Sequence, residues 1–419
     1  MIKSMPIIYD TLIIGGGAAG MCAAVALKQD NPSLKVAVIE QLARVGKKLI
    51  LTGNGRCNIT NSDLSDDKFH SESGEFFKVI LEKFGRQHTE KFFENLGIVF
   101  TVDDRGRVYP CSLQASSVVD ALRFAAEDVG VEIFTETKMI SYEKTGEKIS
   151  VNTDKGEYIC KSLLITAGLF SGGKKMGSDG SVFNLMNDKG YEAVKVTPAI
   201  VQLRTQTEIV KQLKGIKVDA NATLKCNGQV LRKEFGEVLF CDYGLSGPPI
   251  MQISREVDRE KGQKTVSLDL MPQYDFNELT EMLEKRVKIL SSRKLEEFFT
   301  GFLNKRVGQI IVKTAGLKLN DGVSVLTKSH IKKMVSLIKC LSFEVLSSTG
   351  FENSQVTAGG ISLAEFDENT LMSKRENGVF AAGEILDVDG DCGGYNLQWA
   401  WSSAFCAADA IQKYLGGAK

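Results

Sequence analysis

Apolar residues recur along this chain in a few distinct rhythms. Thr11-Leu12-Ile13-Ile14, Val36-Ala37-Val38-Ile39 and Leu163-Leu164-Ile165 are runs of the kind that predict parallel strands buried on both faces. Between the first two lie the glycine turn Gly15-Gly16-Gly17, a helix of small residues from Ala18 to Ala26, and a break at Asn31-Pro32. Apolar spacings of three and four predict helices around Glu75–Leu96 and Ser116–Val129. From Val131 to Lys161 the period shortens to that of strands, with turns at Thr145-Gly146 and Lys155-Gly156.

After about Gly190 the pattern changes. Val196 to Pro272 reads as a series of β-strands with turns at Asn227-Gly228 and Gly244 to Pro249. Phe276–Leu290, Lys294–Lys313 and Ser329–Leu341 read as helices. From Val356 the first pattern returns. Gly378 to Gly383 is a strand ending in glycine, and a small-residue helix runs from about Leu397 to Leu415. One domain is therefore expected to be interrupted by an insert with a β part and a helical part.

Composition narrows the classes. The 419 residues exceed one compact core, and 43% hydrophobic with 25% charged residues is ordinary for a soluble globular protein. The 52 basic and 52 acidic side chains cancel and no region stands out as basic, which argues against a dedicated nucleic-acid or membrane-surface binder. The Lys- and Arg-bearing stretch Glu284–Lys313 also carries acids and reads as a solvated face. Nine scattered cysteines without C-x-x-C read as reduced thiols, with no metal site expected. The start, Met1 to Tyr9, shows no cleavage site, and no apolar run reaches the roughly 18 residues of a membrane span, so a cytoplasmic location is expected.

Gly15-Gly16-Gly17-Ala18-Ala19-Gly20 fits the spacing G-x-G-x-x-G. It follows a buried strand and opens a helix, and Glu40 ends the next strand with Gln41 beside it. Gly15 permits the turn, Gly17 lets a pyrophosphate approach the backbone, and Gly20 lets the helix lie close to the strand. The helix N-terminus favours the phosphate charge, and the Glu40 carboxylate suits ribose hydroxyls. At the far end, Gly383-Glu384 follows a strand where flavoproteins place an acid on ribityl hydroxyls. Gly393-Gly394-Tyr395-Asn396-Leu397-Gln398 then opens a helix whose N-terminus would stabilise charge on a reduced flavin. The combination favours FAD over NAD. The expected fold class is α/β: a Rossmann-like FAD-binding domain over 1–192 and 354–419, a β-barrel-like insert over 193–274 and 340–353, and a helical subdomain over 275–339.

Three further segments carry a resemblance. They are Gly46-Lys47-Lys48-Leu49-Ile50-Leu51-Thr52-Gly53-Asn54-Gly55-Arg56-Cys57-Asn58-Ile59-Thr60-Asn61, Gly244-Leu245-Ser246-Gly247-Pro248, and Gly383-Glu384-Ile385-Leu386-Asp387-Val388-Asp389-Gly390 with the Gly393-Gly394-Tyr395-Asn396 string. With them nearly the whole chain resembles the bacterial aminoacetone oxidase-like, or NAD(P)/FAD-dependent, oxidoreductases, a family that includes a reductase of 3-oxo bile-acid intermediates. The resemblance implies that Gly53, Arg56, Cys57 and Asn58 lie along the flavin and pyrophosphate and that the Met139 backbone meets the adenine. It also implies that Ala167, Gly168, Asp179 and Gly180 close over the cofactor and that Asp387 belongs to the same set. Before Gly244 many relatives carry Thr-His where this chain has Cys241-Asp242.

The chemistry belongs to the flavin, held without a covalent bond, while the protein supplies orientation and electrostatics. Lys47, Lys48 and Arg56 would neutralise pyrophosphate or flavin charge. Tyr395, Asp242 and Tyr243 are the candidate proton handlers; the three histidines sit in no motif and read as surface or helix residues. Cys57 reads as a small residue filling space beside the flavin. No second dinucleotide fingerprint follows, so NAD(P)H would dock transiently if it is used. The expected activity is oxidoreduction of a small or medium organic molecule: a nicotinamide-fed reductase of a conjugated C=C bond, or an amine oxidase releasing hydrogen peroxide. An RNA-binding flavoprotein and a non-catalytic electron carrier are the readings from other classes.

Overall fold

The computed structural model describes residues 8–417; most of the opening stretch read for a cleavage site lies outside them. The chain divides into two compact units, one formed by 1–198 with 351–419 and the other by 199–350.

The first unit is built on a seven-stranded sheet. Its strands are β1 (Ile8–Ile14), β2 (Val36–Ile39), β3 (Glu132–Phe134), β4 (Met139–Thr145), β5 (Lys148–Thr153), β6 (Gly156–Ile165) and the strand Val379–Ala381. β1 pairs in parallel with β2 and β6, β2 with β3, and β6 with Val379–Ala381. β4, β5 and β6 form an antiparallel meander at the other side. The continuous apolar runs are the buried parallel strands: β2 is buried throughout and so are Leu163, Leu164 and Ile165. Helix α1 (Ala18–Asp30) packs against the C-terminal helix Tyr395–Gly417. Small residues on both let the two backbones approach. The buried end of α1 keeps its lysine satisfied, since Lys28 Nζ donates to the carbonyls of Pro32 (2.6 Å) and Leu34 (3.0 Å).

The second unit holds a closed six-stranded antiparallel barrel: β7 (Leu203–Thr205), β8 (Lys217–Cys226), β9 (Gln229–Phe240), β10 (Gly244–Ser246), β11 (Lys264–Asp269) and β12 (Leu341–Ser348). Period-two burial runs through β8, where Ala220, Ala222, Leu224 and Cys226 point inward. Asn227 and Gly228, both at positive φ, turn the β8–β9 hairpin. Helices α2 (Phe276–Ile289), α3 (Lys305–Thr314) and α4 (Lys328–Lys339) share one buried apolar cluster with the barrel.

Two predicted helices are interrupted. The Glu75–Leu96 stretch is split into Phe77–Lys83 and Arg86–Asn95 around Phe84-Gly85. In Lys294–Lys313 only α3 and a short turn, Leu295–Glu297, are helical. There Leu295 and Glu296 donate backbone bonds to Asp321 and Leu319, and Gly301 takes a left-handed conformation. Tertiary pairing has overridden a helical apolar spacing.

Among the described residues no helix is long and apolar enough to cross a membrane, and no group of His, Cys, Asp and Glu is arranged to hold a metal ion.

Candidate functional site

The glycine turn is as tight as its sequence requires. A Cβ on Gly20 would lie 1.9 Å from the Gly15 carbonyl oxygen, so only glycine lets α1 start against the end of β1. A Cβ on Gly17 would meet nothing within 4 Å, leaving that backbone open to an approaching group. No side chain caps α1 and its first turn carries no acid, so the first-turn amides and the positive helix end favour an anion. Ala18 and Ala19 form that turn. Glu40 is fixed from behind: its Oε2 accepts from Gly16 N (2.8 Å) and its Oε1 from Leu42 N (2.7 Å). Burial pushes its carboxyl above the ordinary range, and bonds from the Leu42, Gly16 and Gln41 amides oppose that. Gln41 donates its side-chain amide to the Gly177 carbonyl.

The C-terminal motif meets this turn directly. A Cβ on Gly383 would lie 3.0 Å from Ala19 Cβ. Gly383 is pinned from the C-terminal helix, its N–H donating to Ser403 Oγ (2.9 Å) and its carbonyl accepting from Trp399 Nε1 (3.2 Å). Glu384 pairs with Lys48, and its Oε1 accepts from Ser171 Oγ (2.6 Å) and the Thr357 amide (2.9 Å). Lys48 Nζ also donates to Ser171 Oγ (2.8 Å). Lys47 donates instead to the Lys175 carbonyl (2.7 Å).

Gly53 and Asn54 are both left-handed, and Arg56 lies over the Tyr109 ring at 5.2 Å. Asn58 follows against Gly53; a Cβ on Gly53 would lie 3.0 Å from Asn58 N. Cys57 is fully buried; burial pushes its thiol up to about 12 against an opposing bond from Thr52, so it stays protonated at neutral pH. The next residues are held by Gln398. Its Oε1 accepts from Thr60 Oγ1 (2.5 Å), while its Nε2 donates to Thr89 Oγ1 (2.9 Å), Ser402 Oγ (2.8 Å) and the Phe84 carbonyl (3.3 Å). Trp401 Nε1 donates to the Ile59 carbonyl (2.9 Å).

Met139 opens β4 and is buried, while Ala167 and Gly168 follow β6. Asp179 precedes the helix Ser181–Asp188, where it accepts from Ser181 N (3.0 Å) and pairs with Lys138 (2.5 Å). Asp387 serves the scaffold: its Oδ2 accepts from the amides of Glu72 (2.8 Å) and Ser73 (2.9 Å) and from both serine hydroxyls of that turn. Asn396 clamps the preceding loop, accepting from Gly390 N (2.8 Å) and donating to Gly390 O (2.7 Å). Gly394, Tyr395 and Leu397 surround it at the helix start. Tyr395 is packed edge-on to Phe69. Burial first, then the charges of Asp63, Asp391 and Asp67, push its phenol up to about 12.

Asp242 and Tyr243 lie in the second unit, whereas every candidate cofactor residue lies in the first. Asp242 is exposed and paired with Lys214 (2.6 Å), which holds its carboxyl below the usual range.

Sequence reasoning missed three features. Ser171 and Thr357, which orient Glu384, sit in no spacing that marks them. Gln398 ends the Gly393–Gln398 segment, but its partners are remote in sequence. His70 is neither a surface nor a helix residue: it lies on the strand Phe69–His70, half-buried, with Nε2 2.9 Å from Asp391 Oδ1. His88 and His330 do lie on helices.

A parallel sheet with an uncapped glycine turn, an acid at the end of the second strand, and a C-terminal strand–glycine–acid motif closing on that turn defines an FAD-dependent oxidoreductase. These residues fit an FAD: an open backbone at Gly17, a held acid at Glu40, and a second acid, Glu384, beside a lysine. The chain belongs to the family described as HI0933-like protein Rossmann domain, whose model matches residues 9–410. It is 32% identical over 401 residues to the 3-dehydro-bile acid delta(4,6)-reductase of Clostridium scindens, covering 95% of this chain and 98% of that one. It is 28% identical over 412 residues to the ribosomal RNA dihydrouridine synthase of Escherichia coli, covering 96% and 98%. Among solved structures, the FrdA chain of Escherichia coli quinol fumarate reductase shares the fold, with a TM-score of 0.51 at 15% identity, covering 99% of this chain and 72% of that one.

Proposed function

We propose that this flavoenzyme reduces a carbon–carbon double bond conjugated to a carbonyl in a small or medium organic substrate, fed by a transiently docked NADH or NADPH. The observation that carries the reading is the full-length similarity to a reductase named for delta(4,6) bonds of a 3-dehydro-bile acid. The dihydrouridine synthase name supports the same bond change, since dihydrouridine is uridine with its ring C=C saturated beside a carbonyl. FAD, when bound, supplies the two-electron redox centre. The chain's residues do the rest. The Gly15–Gly20 turn receives the diphosphate, Glu40 the adenosine ribose, and Glu384, oriented by Lys48 and Ser171, the ribityl hydroxyls. Tyr395, at the start of the C-terminal helix, keeps its phenolic proton across the neutral range, because burial and the charges of Asp63, Asp391 and Asp67 disfavour a negative oxygen there.

The test is the visible spectrum followed anaerobically after NADH or NADPH is added, then after a steroidal enone. Bleaching by nicotinamide and recolouring by the enone with loss of its conjugated absorbance is the expected result. Bleaching by an amine, with peroxide formed in air, replaces this reading with an oxidase. A colourless protein that cannot be reconstituted with FAD overturns both.

A second reading, uracil in RNA as the substrate, is favoured by how charge is distributed. The unit 199–350 holds 24 Lys and Arg against 17 Asp and Glu, and the other unit 28 against 35. The neutral total therefore conceals a basic insert, suited to a polyanion. Ribosomal RNA from cells lacking this chain would then lose a dihydrouridine that returns on complementation; unchanged dihydrouridine rejects this reading.

A further inference from the structure

The basic excess of the second unit is not spread evenly. From the second half of α2 to the end of α4, residues 285–339 hold 13 Lys and Arg against three acids, Glu296, Glu297 and Asp321. Helix electrostatics accounts for part of this. Arg286, Lys313 and Lys339 lie in last turns, where the helix dipole favours a cation, and Lys339 also pairs with Asp269 (2.7 Å).

The same physics makes the remainder unexpected. Lys305 and Arg306 open α3 and Lys328 opens α4, each at the positive end of a helix whose first turn has no acid. Lys332 and Lys333 continue the exposed face of α4, opposite its buried Ile331, Met334, Val335 and Ile338. Among the described residues none of these five side chains has an ion-pair partner. All five are exposed. The backbone gathers the helices into one body: Lys294 bridges Gly322, and Lys333 Nζ lies 3.8 Å from where a Gly316 Cβ would stand, just past the end of α3.

We infer that the exposed basic surface of α3, α4 and the segments joining them docks the phosphate backbone of RNA. The inference rests on the second reading above and assigns that reading a surface. Lysines without acidic partners, spread over about 30 residues of sequence, match a run of phosphates, each neutralised contact releasing counterions. A lipid surface is less well matched, because the exposed large apolar side chains of this part do not form one patch along α3 and α4: Phe276 and Ile289 stand at the two ends of α2, and Val325 on the turn before α4.

The experiment compares the full-length holoprotein with a variant carrying Lys305→Gln, Arg306→Gln, Lys332→Gln and Lys333→Gln. The probes are a labelled uridine-rich single-stranded RNA and deproteinised ribosomal RNA, titrated across a salt series. The variant is expected to lose at least about tenfold in affinity at near-physiological salt, with the slope of log K against log salt shallower by about 3. Flavin content and bleaching by nicotinamide should not change, and the thermal midpoint should hold or rise, because charges opposed to helix dipoles are removed. A charge-retaining variant, Lys305→Arg with Lys332→Arg and Lys333→Arg, should bind as the parent does. RNA binding by the parent that the four substitutions leave intact overturns the assigned surface and spares the RNA reading. No RNA binding by the parent overturns both, including the case where it binds phosphatidylglycerol vesicles instead.

Discussion

The two units carry opposite charge and use their polar groups in opposite ways. In the first, net acidic, unit the polar side chains that matter are buried and paired: Gln398 is spent on four partners, Glu384 on Lys48, Ser171 and a backbone amide, and Asp387 on one turn. In the second, net basic, unit the exposed Lys305, Arg306, Lys328, Lys332 and Lys333 of α3 and α4 stand without ion-pair partners among the described residues. An acidic unit can still receive an anionic dinucleotide, because the uncapped start of α1, with no acid in its first turn, sets the local potential at short range while distant carboxylates are screened. In the basic unit the starts of α3 and α4 carry cations of their own, and further lysines continue along α4. Its charge acts as a field over a surface, which suits a long polyanion better than a small one.

The largest expected effect lies at the glycine turn. Gly20→Val places its branched side chain into the Gly15 carbonyl and should give colourless, poorly folded protein. Gly17→Ala meets open space, so it should keep the fold while weakening FAD binding about tenfold. Flavin absorbance per chain and the thermal midpoint separate the two. If Gly17→Ala unfolds as readily as Gly20→Val, the division between packing and approach fails.

Next comes the buried network. Gln398→Leu leaves Thr60, Thr89, Ser402 and a carbonyl without their common partner, at a cost of about 2–4 kcal/mol in urea unfolding. A loss below about 1 kcal/mol would show that the network is replaceable.

Alkaline pH should sharpen the contrast between the units. Burial raises the thiols of Cys57, Cys160 and Cys406 to about 12, and all three belong to the first unit. Unfolded, these thiols ionise near 9, so their contribution is whole below that pH and shrinks as the pH climbs towards 12. The loss is about 1.4 kcal/mol per thiol for each pH unit in that window. Calorimetry at pH 7.5 and 9.5 should show flavin release moving down further than the unfolding of the barrel unit; equal shifts count against the assignment.

The smallest effect is expected at the exposed Lys214–Asp242 pair. Asp242→Asn should leave stability unchanged within error, as surface pairs generally do. A fall in kcat without a change in stability would establish Asp242 as a proton handler.

Much of the first unit was legible because its signals are local. The glycine spacing, the apolar strand and Glu40 follow one another within a few dozen residues, and each has its own steric or electrostatic reason. The predicted helix over 294–313 failed because its apolar spacing served a different purpose: Leu295, Phe298 and Phe299 reach the core from an irregular segment held by backbone bonds to 319–321. Neutral overall charge hid the basic insert, since a sum over the chain carries no information about which residues fold together.

By itself, then, the sequence determined the class of fold and the cofactor signature, because turns, helix starts and buried runs are fixed by neighbours along the chain. The tertiary structure decided which polar groups meet. It set Lys48 against Glu384, His70 against Asp391 and Gln398 against Thr60, pairs more than 300 residues apart. It also gathered the unpaired lysines of α3 and α4 into one body. Such meetings depend on how the elements pack, and no local spacing records that.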